Sequence, residues 1–308
     1  MTRTERAMAA PARPVTQAAD VAAPAHAGGS RATAMSRRHA GGSLSARGLL
    51  FTILGEYVLP GGGSAWTSAM IETMSRLGIE EKATRQALMR TAADGWLTPE
   101  RVGRRTRWRL TPSADRLLTE GTERIYGFGA HRNGWDGTWL LVLARTPEAD
   151  RPARHVLRSR LTWAGFGSPA PGVWISTHAG RLGEIEDALS EAGLSGEAQI
   201  FRGTHADGQL PVLVTQAWDL AGISQQYDDF VAKFASGSAA DPLAATIGLV
   251  HAWRRFPWTD PDLPRELLPQ HWRRPRAATV FRRRHVQWSP AALSAWQHLA
   301  AEDPHSAT

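Results

Sequence analysis

Hydrophobic residues recur at helical spacing over three consecutive segments in the first third of the chain. Residues 45–59 are strongly apolar, residues 64–78 and 79–94 are amphipathic, and glycine or a Pro-Gly sequence closes each segment. Residues 95–111 change to a period of two, which predicts a hairpin of short strands. Three helices followed by a hairpin predict a winged helix-turn-helix domain.

The third of these segments has two faces that differ in side-chain size and polarity. Small or apolar residues share the face that would pack on the first two helices: Thr84, Ala87, Leu88 and Ala92. A second face carries Lys82, Arg85, Gln86 and Met89, and Arg90 follows in the next turn. We expect this second face to enter a groove of DNA.

The hairpin is unusually rich in arginine. Its basic residues are Arg101, Arg104, Arg105, Arg107 and Arg109, and Glu100 is the acidic residue beside them. Arginines that alternate on one face of a hairpin can contact phosphates or enter a minor groove. The alternative is a solvated face above a buried Trp108. The order of the helices and the small packing residues favour the DNA interpretation.

Strands and helices alternate in the middle of the chain. Strands are predicted over 138–144, 172–177 and 197–203, with room for another near 165–168, and helices are predicted over 149–165 and 181–193. This order predicts a small ferredoxin-like βαββαβ sandwich.

After Pro211 the pattern becomes helical. Residues 215–236 and 241–256 each predict one helix. A proline-punctuated stretch follows, and Ser289 and Pro290 are expected as the N-cap and the first residue of a final helix.

These patterns predict an α+β protein of several domains. We expect a disordered tail over 1–42, the winged domain over 43–129, the ferredoxin-like domain over 130–210 and a mainly helical domain over 211–308. The tail is rich in Ala, Pro, Gly and Ser, so it buries too little apolar surface to offset the entropy of ordering it.

Composition narrows the class of protein. The 308 residues carry a formal net charge of +7, which favours a polyanionic partner. The chain has no cysteine, which excludes disulfides and cysteine-based zinc sites. No apolar run has the length of a membrane span and no signal-peptide pattern is present, so we expect a soluble, cytoplasmic protein without a membrane partner.

Several segments resemble the PaaX family, the transcriptional repressors of phenylacetic-acid catabolism and their relatives. These segments are "SARGLLFTILGEYV", "ATRQALMRTAADGWL", "GVWIS" and above all "HAWRRFPWTDPDLPRELLPQHW". The resemblance extends from about Ser43 to Glu302. It implies a winged helix, a central domain similar to the Cas2 fold and a helical C-terminal domain, in a homodimer that binds operator DNA.

The resemblance also implies particular roles. The "RQAL…R" pattern gives Arg85, Gln86 and Arg90 a role in DNA binding. No cofactor is implied, but an effector is: phenylacetyl-CoA or another aryl acyl-CoA would release the protein from its promoter. The extra arginines, such as Arg273 and Arg282, depart from the family pattern, and the effector could differ.

The segment "HAWRRFPWTDPDLP" admits two interpretations. Arg254 and Arg255 could meet the phosphates of an acyl-CoA while Trp253, Phe256 or Trp258 flank its aryl group. The same residues could instead lock a helix end onto a rigid loop, and from the sequence we favour this structural role. On the effector interpretation, Arg254→Ala and Arg255→Ala would preserve folding and operator binding but weaken the response to the inducer.

Enzyme functions find little support. Cas2-like nucleases hold a metal with an acidic residue at the end of their first strand, where this chain has Ala144 and Arg145. The histidines show no metal-ligand spacing, and no serine lies in a nucleophile elbow. We therefore predict no catalytic and no metal-binding residues. Two alternatives to the repressor remain: a nucleic-acid-binding protein without an effector, and a Cas2-like nuclease.

Overall fold

The computed structural model describes residues 45–129, 134–144 and 150–301. The predicted N-terminal tail lies outside these residues. The described chain is a mixed α+β protein in three consecutive units, and its last third is helical.

The first unit combines four helices with a small sheet. Its helices are α1 (Ala46–Ile53), continued by a π-helical turn (Leu54–Val58), α2 (Thr67–Ser75), α3 (Glu81–Ala93) and α4 (Pro112–Gly127). Its strands are β1 (Ser64–Trp66), β2 (Leu97–Val102) and β3 (Arg105–Leu110), in the antiparallel order β1-β3-β2. Ser45 and Thr111 cap α1 and α4, because each hydroxyl accepts a hydrogen bond from a backbone N–H of the first turn.

One sequence expectation is wrong here. Residues 64–66 were expected to open a helix, but they form strand β1, which pairs with β3. The physical reason is the partner strand: β3 presents a free edge, and the extended backbone of Trp66 satisfies it before α2 begins.

The second unit is a four-stranded antiparallel sheet with two helices on one face. Its elements are β4 (Thr138–Leu143), α5 (Arg151–Trp163), β5 (Gly167–Ala170), β6 (Val173–Ser176), α6 (Leu182–Glu191) and β7 (Gln199–Thr204). The strand order β5-β6-β4-β7 is that of a βαββαβ sandwich, as the sequence predicts. Leu140 and Val142 of β4 pack under the two helices, while Trp139 faces the third unit.

The third unit is helical. It contains α7 (Leu210–Ala217), α8 (Leu220–Phe234), α9 (Pro242–Trp253), the short α10 (Phe256–Thr259) and the long α11 (Arg274–Ala301). The single helix predicted over 215–236 is wrong, because Trp218 is extended and Asp219 caps a new helix by accepting from Gly222 N at 2.9 Å. No helix within the described residues combines the length and hydropathy that a membrane crossing requires.

The predicted start of the final helix at Ser289 and Pro290 is also wrong. Helix α11 begins at Arg274 and continues through Pro290. An interior proline removes one backbone hydrogen bond and costs about 3 kcal/mol. Burial on both sides of it, by Trp288 before and Ala292 after, outweighs this cost and keeps the helix continuous.

The third unit also completes the core of the first. Leu243 and Ile247 of α9 and Ala292 and Trp296 of α11 belong to the same buried cluster as α1 to α4. Trp296 stacks on Tyr57 with ring centroids 5.5 Å apart. The scaffold that carries α3 therefore depends on helices that follow it by more than a hundred residues.

Candidate nucleic-acid interface and effector region

Helix α3 has one buried and one exposed face. Its buried residues are Thr84, Ala87, Leu88 and Thr91, which pack against α1 and α2. The predicted contact residues are all exposed: Lys82, Arg85, Gln86, Met89 and Arg90. Met89 is 63% exposed although it is apolar, so this face presents both charge and hydrophobic surface.

Side chains on the exposed face of α3 pair along the helix. Arg85 Nη2 lies 2.7 Å from Glu81 Oε1, and Arg90 Nη2 donates to Gln86 Oε1 at 3.4 Å. Pairs four residues apart on an exposed helix contribute a few tenths of a kcal/mol. Such weak pairs orient the side chains and leave both arginines available to a stronger anionic partner.

The hairpin is fixed to α2 through Trp108. The Trp108 indole N–H donates to Thr67 Oγ1 at 2.9 Å, and that hydroxyl donates in turn to Thr106 O at 2.9 Å. Trp108 itself is 5% exposed. A buried Trp108 is what the alternative interpretation of the hairpin expected, and the ring fixes the position of the strands relative to the helices.

The arginines on the other side of the hairpin have specific partners. Glu100 accepts from Arg107 at 3.0 and 3.1 Å and from Arg109 Nε at 2.8 Å. These hydrogen bonds hold the pKa of the Glu100 carboxyl below its usual range. The guanidinium of Arg105 lies 4.4 Å from the centre of the Trp66 ring, at cation–π distance.

Two further predicted arginines lie by the hairpin turn. Arg101 and Arg104 are exposed on either side of Gly103, whose φ of 60° lies in the left-handed region that favours glycine. Arg101 Nε lies 3.4 Å from Gly103 O, so the tip is the least constrained part of the basic surface. The sequence analysis gave no role to Trp66. It placed this residue in a helix, where its contact with Arg105 of the hairpin could not be foreseen.

The predicted effector residues are divided between the core and its edge. Trp253 and Phe256 are buried in an aromatic cluster. Trp253 stacks on Phe281 at 4.7 Å and Phe256 stacks on Tyr227 at 4.1 Å. Rings this enclosed support the structural interpretation of the segment.

The two arginines of that segment differ. Arg254 Nη1 donates to Gly48 O and to Thr52 Oγ1, both at 3.0 Å, and burial lowers the pKa of Arg254 to about 10. It therefore connects the end of α9 to the first turns of α1. Arg255 makes a weaker contact, with Nη2 3.5 Å from Gln226 O.

Trp258 is half-buried and contacts Trp163 of the second unit, with ring centroids 5.1 Å apart. Trp258 and Arg254 line a small cavity of about 60 Å³ between α1, α4 and α9. Such a volume holds a few waters and is far below the roughly 300 to 1,000 Å³ of ligand pockets.

The predicted absence of a nuclease centre concerns the end of β4. Ala144 is 2% exposed there, and Arg145 lies outside the described residues. Among the residues that the structure describes, no three His, Asp or Glu side chains gather as metal ligands would.

Known proteins share this arrangement of units. Three consecutive family models match the chain: PaaX-like protein over residues 45–114, the PaaX protein central Cas2-like domain over 132–213, and the PaaX-like protein C-terminal domain over 218–298. The order of a helical and hairpin unit, a Cas2-like unit and a helical unit is thus that of the PaaX-like class of proteins.

A curated relative and a solved structure extend this match. The chain is 29% identical over 271 residues to the transcriptional repressor PaaX of Escherichia coli K12, covering 82% of this chain and 83% of that protein. An uncharacterized protein, Rv0674 from Mycobacterium tuberculosis, shares the fold with a TM-score of 0.56 at 22% identity, over 83% of this chain and 99% of the other. This chain belongs to the PaaX family.

Proposed function

We propose that this protein is a transcriptional repressor that binds operator DNA through a winged helix-turn-helix formed by α1 to α3 and the β2–β3 hairpin. The main observation behind the proposal is the polar face of α3. This face is exposed to solvent, while the opposite face of the helix is buried against α1 and α2. Membership of the PaaX family and the likeness to a repressor support it.

The proposal gives each part of the surface a role. Helix α3 enters the major groove, where Arg85, Gln86 and Arg90 contact base edges and Lys82 lies near phosphate. The arginines of the hairpin contact the DNA backbone: Arg101, Arg104, Arg105 and Arg107. Phosphate contacts release bound counterions, so affinity falls steeply as salt is added.

The repressor acts as a homodimer in this proposal. Two copies of α3 roughly 34 Å apart would meet successive major grooves on one side of the duplex, so the operator is expected to be palindromic with half-sites about one turn apart.

An aryl acyl-CoA, with phenylacetyl-CoA as the first candidate, releases the protein from DNA and so derepresses genes of aromatic-acid catabolism. Family membership supports this part of the proposal. By thermodynamic linkage, DNA must weaken effector binding by the same factor as the effector weakens DNA binding.

The proposal is tested by selecting bound duplexes from a random DNA library and measuring affinity for the selected site. We expect a palindrome, and we expect Arg85→Ala and Arg90→Ala each to weaken binding by roughly 5- to 150-fold, the equivalent of a lost base contact of about 1–3 kcal/mol. Arg158→Ala, which removes one exposed charge from α5, is the matched control and should change affinity little.

Selection of no preferred sequence would contradict the repressor proposal. Sequence-specific binding that no acyl-CoA releases would instead leave a DNA-binding protein without a small-molecule effector. Cleavage of DNA or RNA that requires a divalent metal would support the nuclease alternative.

A further inference from the structure

A polar cleft opens where the three units meet. Its walls come from the end of α4, from the turn after α5 and from the segment 257–262. The cavity volume is about 360 Å³, six times that of the cavity beside Arg254 and within the range of roughly 300 to 1,000 Å³ that small-molecule sites occupy. A ligand here would contact all three units at once.

Arg124 of α4 forms the centre of this junction. Its Nη2 donates to Trp163 O of the second unit and to Pro257 O of the third, both at 3.2 Å. Its guanidinium also lies 3.8 Å from the centre of the Trp258 ring. One side chain of the first unit therefore holds a backbone carbonyl of each of the other two.

The positive charge of Arg124 is poorly compensated. Within the described residues no carboxylate lies at ion-pair distance from it, and the acceptors of its two hydrogen bonds are neutral carbonyls. Arg181 lines the same cleft, where its Nη1 donates to Ala164 O at 2.7 Å. Burial, together with the charge of Arg181, lowers the pKa of Arg124 to about 10, although the negative charge of Glu184 acts in the opposite direction.

The acidic residues of the cleft do not offset this charge directly. Asp260 and Asp262 are engaged by Arg274, whose Nη1 lies 3.4 and 2.5 Å from their Oδ1 atoms. Asp260 also accepts from Tyr227 at 2.7 Å. Glu120 and Glu123 are exposed on α4 and form the rim. The cleft therefore holds two arginines and the two aspartates that pair with Arg274, and two exposed glutamates stand at its mouth.

Glycines keep the cleft open. A Cβ on Gly165 would lie 3.3 Å from Pro261 O, so a side chain there would press on the opposite wall. Gly127 ends α4 at the cleft, and a Cβ on it would meet no heavy atom within 4 Å. The space in front of Gly127 is therefore open.

We propose that this cleft is the effector site and that it receives an arylacetyl group, whose oxygen accepts a hydrogen bond from Arg124. The ring would lie against Trp163 and Phe128, which line the same walls. This inference rests on the proposed function, because it locates the effector to which the repressor responds. An arylacetate and its CoA thioester share this chemistry.

Binding at this junction would reach the DNA-binding unit directly. Helix α4 follows β3 without a break longer than Thr111, whose hydroxyl caps it and whose N–H donates to Trp96 O at 3.1 Å. A ligand that competes for Arg124 would shift α4 against the other units, and the hairpin would shift with it.

The decisive variant adds a side chain to the wall of the cleft at Gly127, where a Cβ meets no other group. Gly127→Leu projects a side chain into the open space, and Gly121→Leu makes the same change on the same helix but at the small cavity beside Arg254. Calorimetric titrations of the full chain use phenylacetyl-CoA, phenylacetate and free CoA as probes. We expect Gly127→Leu to weaken arylacetyl binding at least tenfold and Gly121→Leu to leave it unchanged.

A second pair of variants tests the charge. Arg124→Gln should weaken binding of whichever arylacetyl probe the wild-type protein binds, whereas Arg116→Gln, an exposed position on the same helix, should not. A wild-type response to phenylacetyl-CoA alone would assign the thioester, and a response to phenylacetate would assign the free acid.

Two results would overturn the site. Equal binding by Gly127→Leu and the wild-type protein would place the ligand elsewhere, and a wild-type protein that binds none of the probes would leave the cleft without this ligand. Operator binding measured on the same preparations separates these failures from a failure of the repressor proposal. Retained operator binding by Gly127→Leu would also show that the variant is folded.

Discussion

Arg254 and Arg255 are neighbours in the sequence with different structural roles. We predict that Arg254→Ala lowers the free energy of unfolding by roughly 1–3 kcal/mol, because it removes two hydrogen bonds from a charged donor to α1. This is the opposite of what the effector interpretation predicted for folding. Denaturant unfolding measures it, with Arg255→Ala as the control that should change stability less. Equal losses in both variants would refute the assignment.

Glu100 restrains the arginines of the hairpin. Glu100→Gln should release Arg107 and Arg109 toward phosphate, raise DNA affinity and steepen its dependence on salt. Affinities over a salt series would measure the change, and an unchanged slope would refute it.

The pH dependence of this restraint follows from the lowered pKa of Glu100. A carboxyl with a lowered folded pKa stabilises the fold above its unfolded value, and that contribution is lost as the pH falls through the folded value. We therefore expect the affinity difference between the wild-type protein and Glu100→Gln to persist down through about pH 4.3, where an ordinary glutamate is already half protonated, and to be lost only at lower pH. A difference that vanishes above that pH would show that Glu100 is not held ionised.

At the scale of elements, helix α11 serves two cores. Trp296→Ala should cost roughly 3–5 kcal/mol, like other large truncations in a core, and it should speed amide exchange in α1, because Trp296 packs on Tyr57. Trp288→Ala, the same change in the same helix, should speed exchange in α8, which the other core contains. Identical exchange patterns in the two variants would show that the cores are not separate.

Elements defined by their own residues could be predicted from the sequence. The two faces of α3 follow from side-chain size and polarity, and the order of strands in the second unit follows from their alternation with helices. Strand β1 could not be predicted, because three residues become a strand through pairing with β3, more than forty positions away. The continuity of α11 could not be predicted for a similar reason. Pro290 is a local signal for a helix start, but the burial of its neighbours in the tertiary structure keeps the helix continuous.

The candidate sites follow the same division. The exposed residues of α3 and the hairpin could be selected from the sequence because a run of arginines is visible there. The cleft around Arg124 could not, since its walls come from three units and its arginine resembles any other on an amphipathic helix. Trp253 and Phe256 were considered as ligand contacts. Their burial could not be predicted, because the rings that stack on them belong to helices distant in the sequence.

At the scale of the whole molecule, the first unit does not possess a complete core of its own. We predict that residues 45–129 expressed alone fail to unfold cooperatively, because Leu243, Ile247, Ala292 and Trp296 are missing from the buried cluster. Thermal melting of this fragment beside the full chain tests the prediction. A cooperative transition of the fragment at the temperature of the full chain would refute it.

The shared core also sets an order of events during synthesis. Ribosomes build the chain from its N-terminus, and domains usually fold as they emerge. Here the unit that carries α3 emerges before the other two. Its core is complete only after Trp296 has been synthesised, near the end of the described chain. A copy whose translation stops early lacks the residues that complete the core beneath α3. On the proposed function, only completed chains would then bind the operator, and truncated fragments would not compete with them.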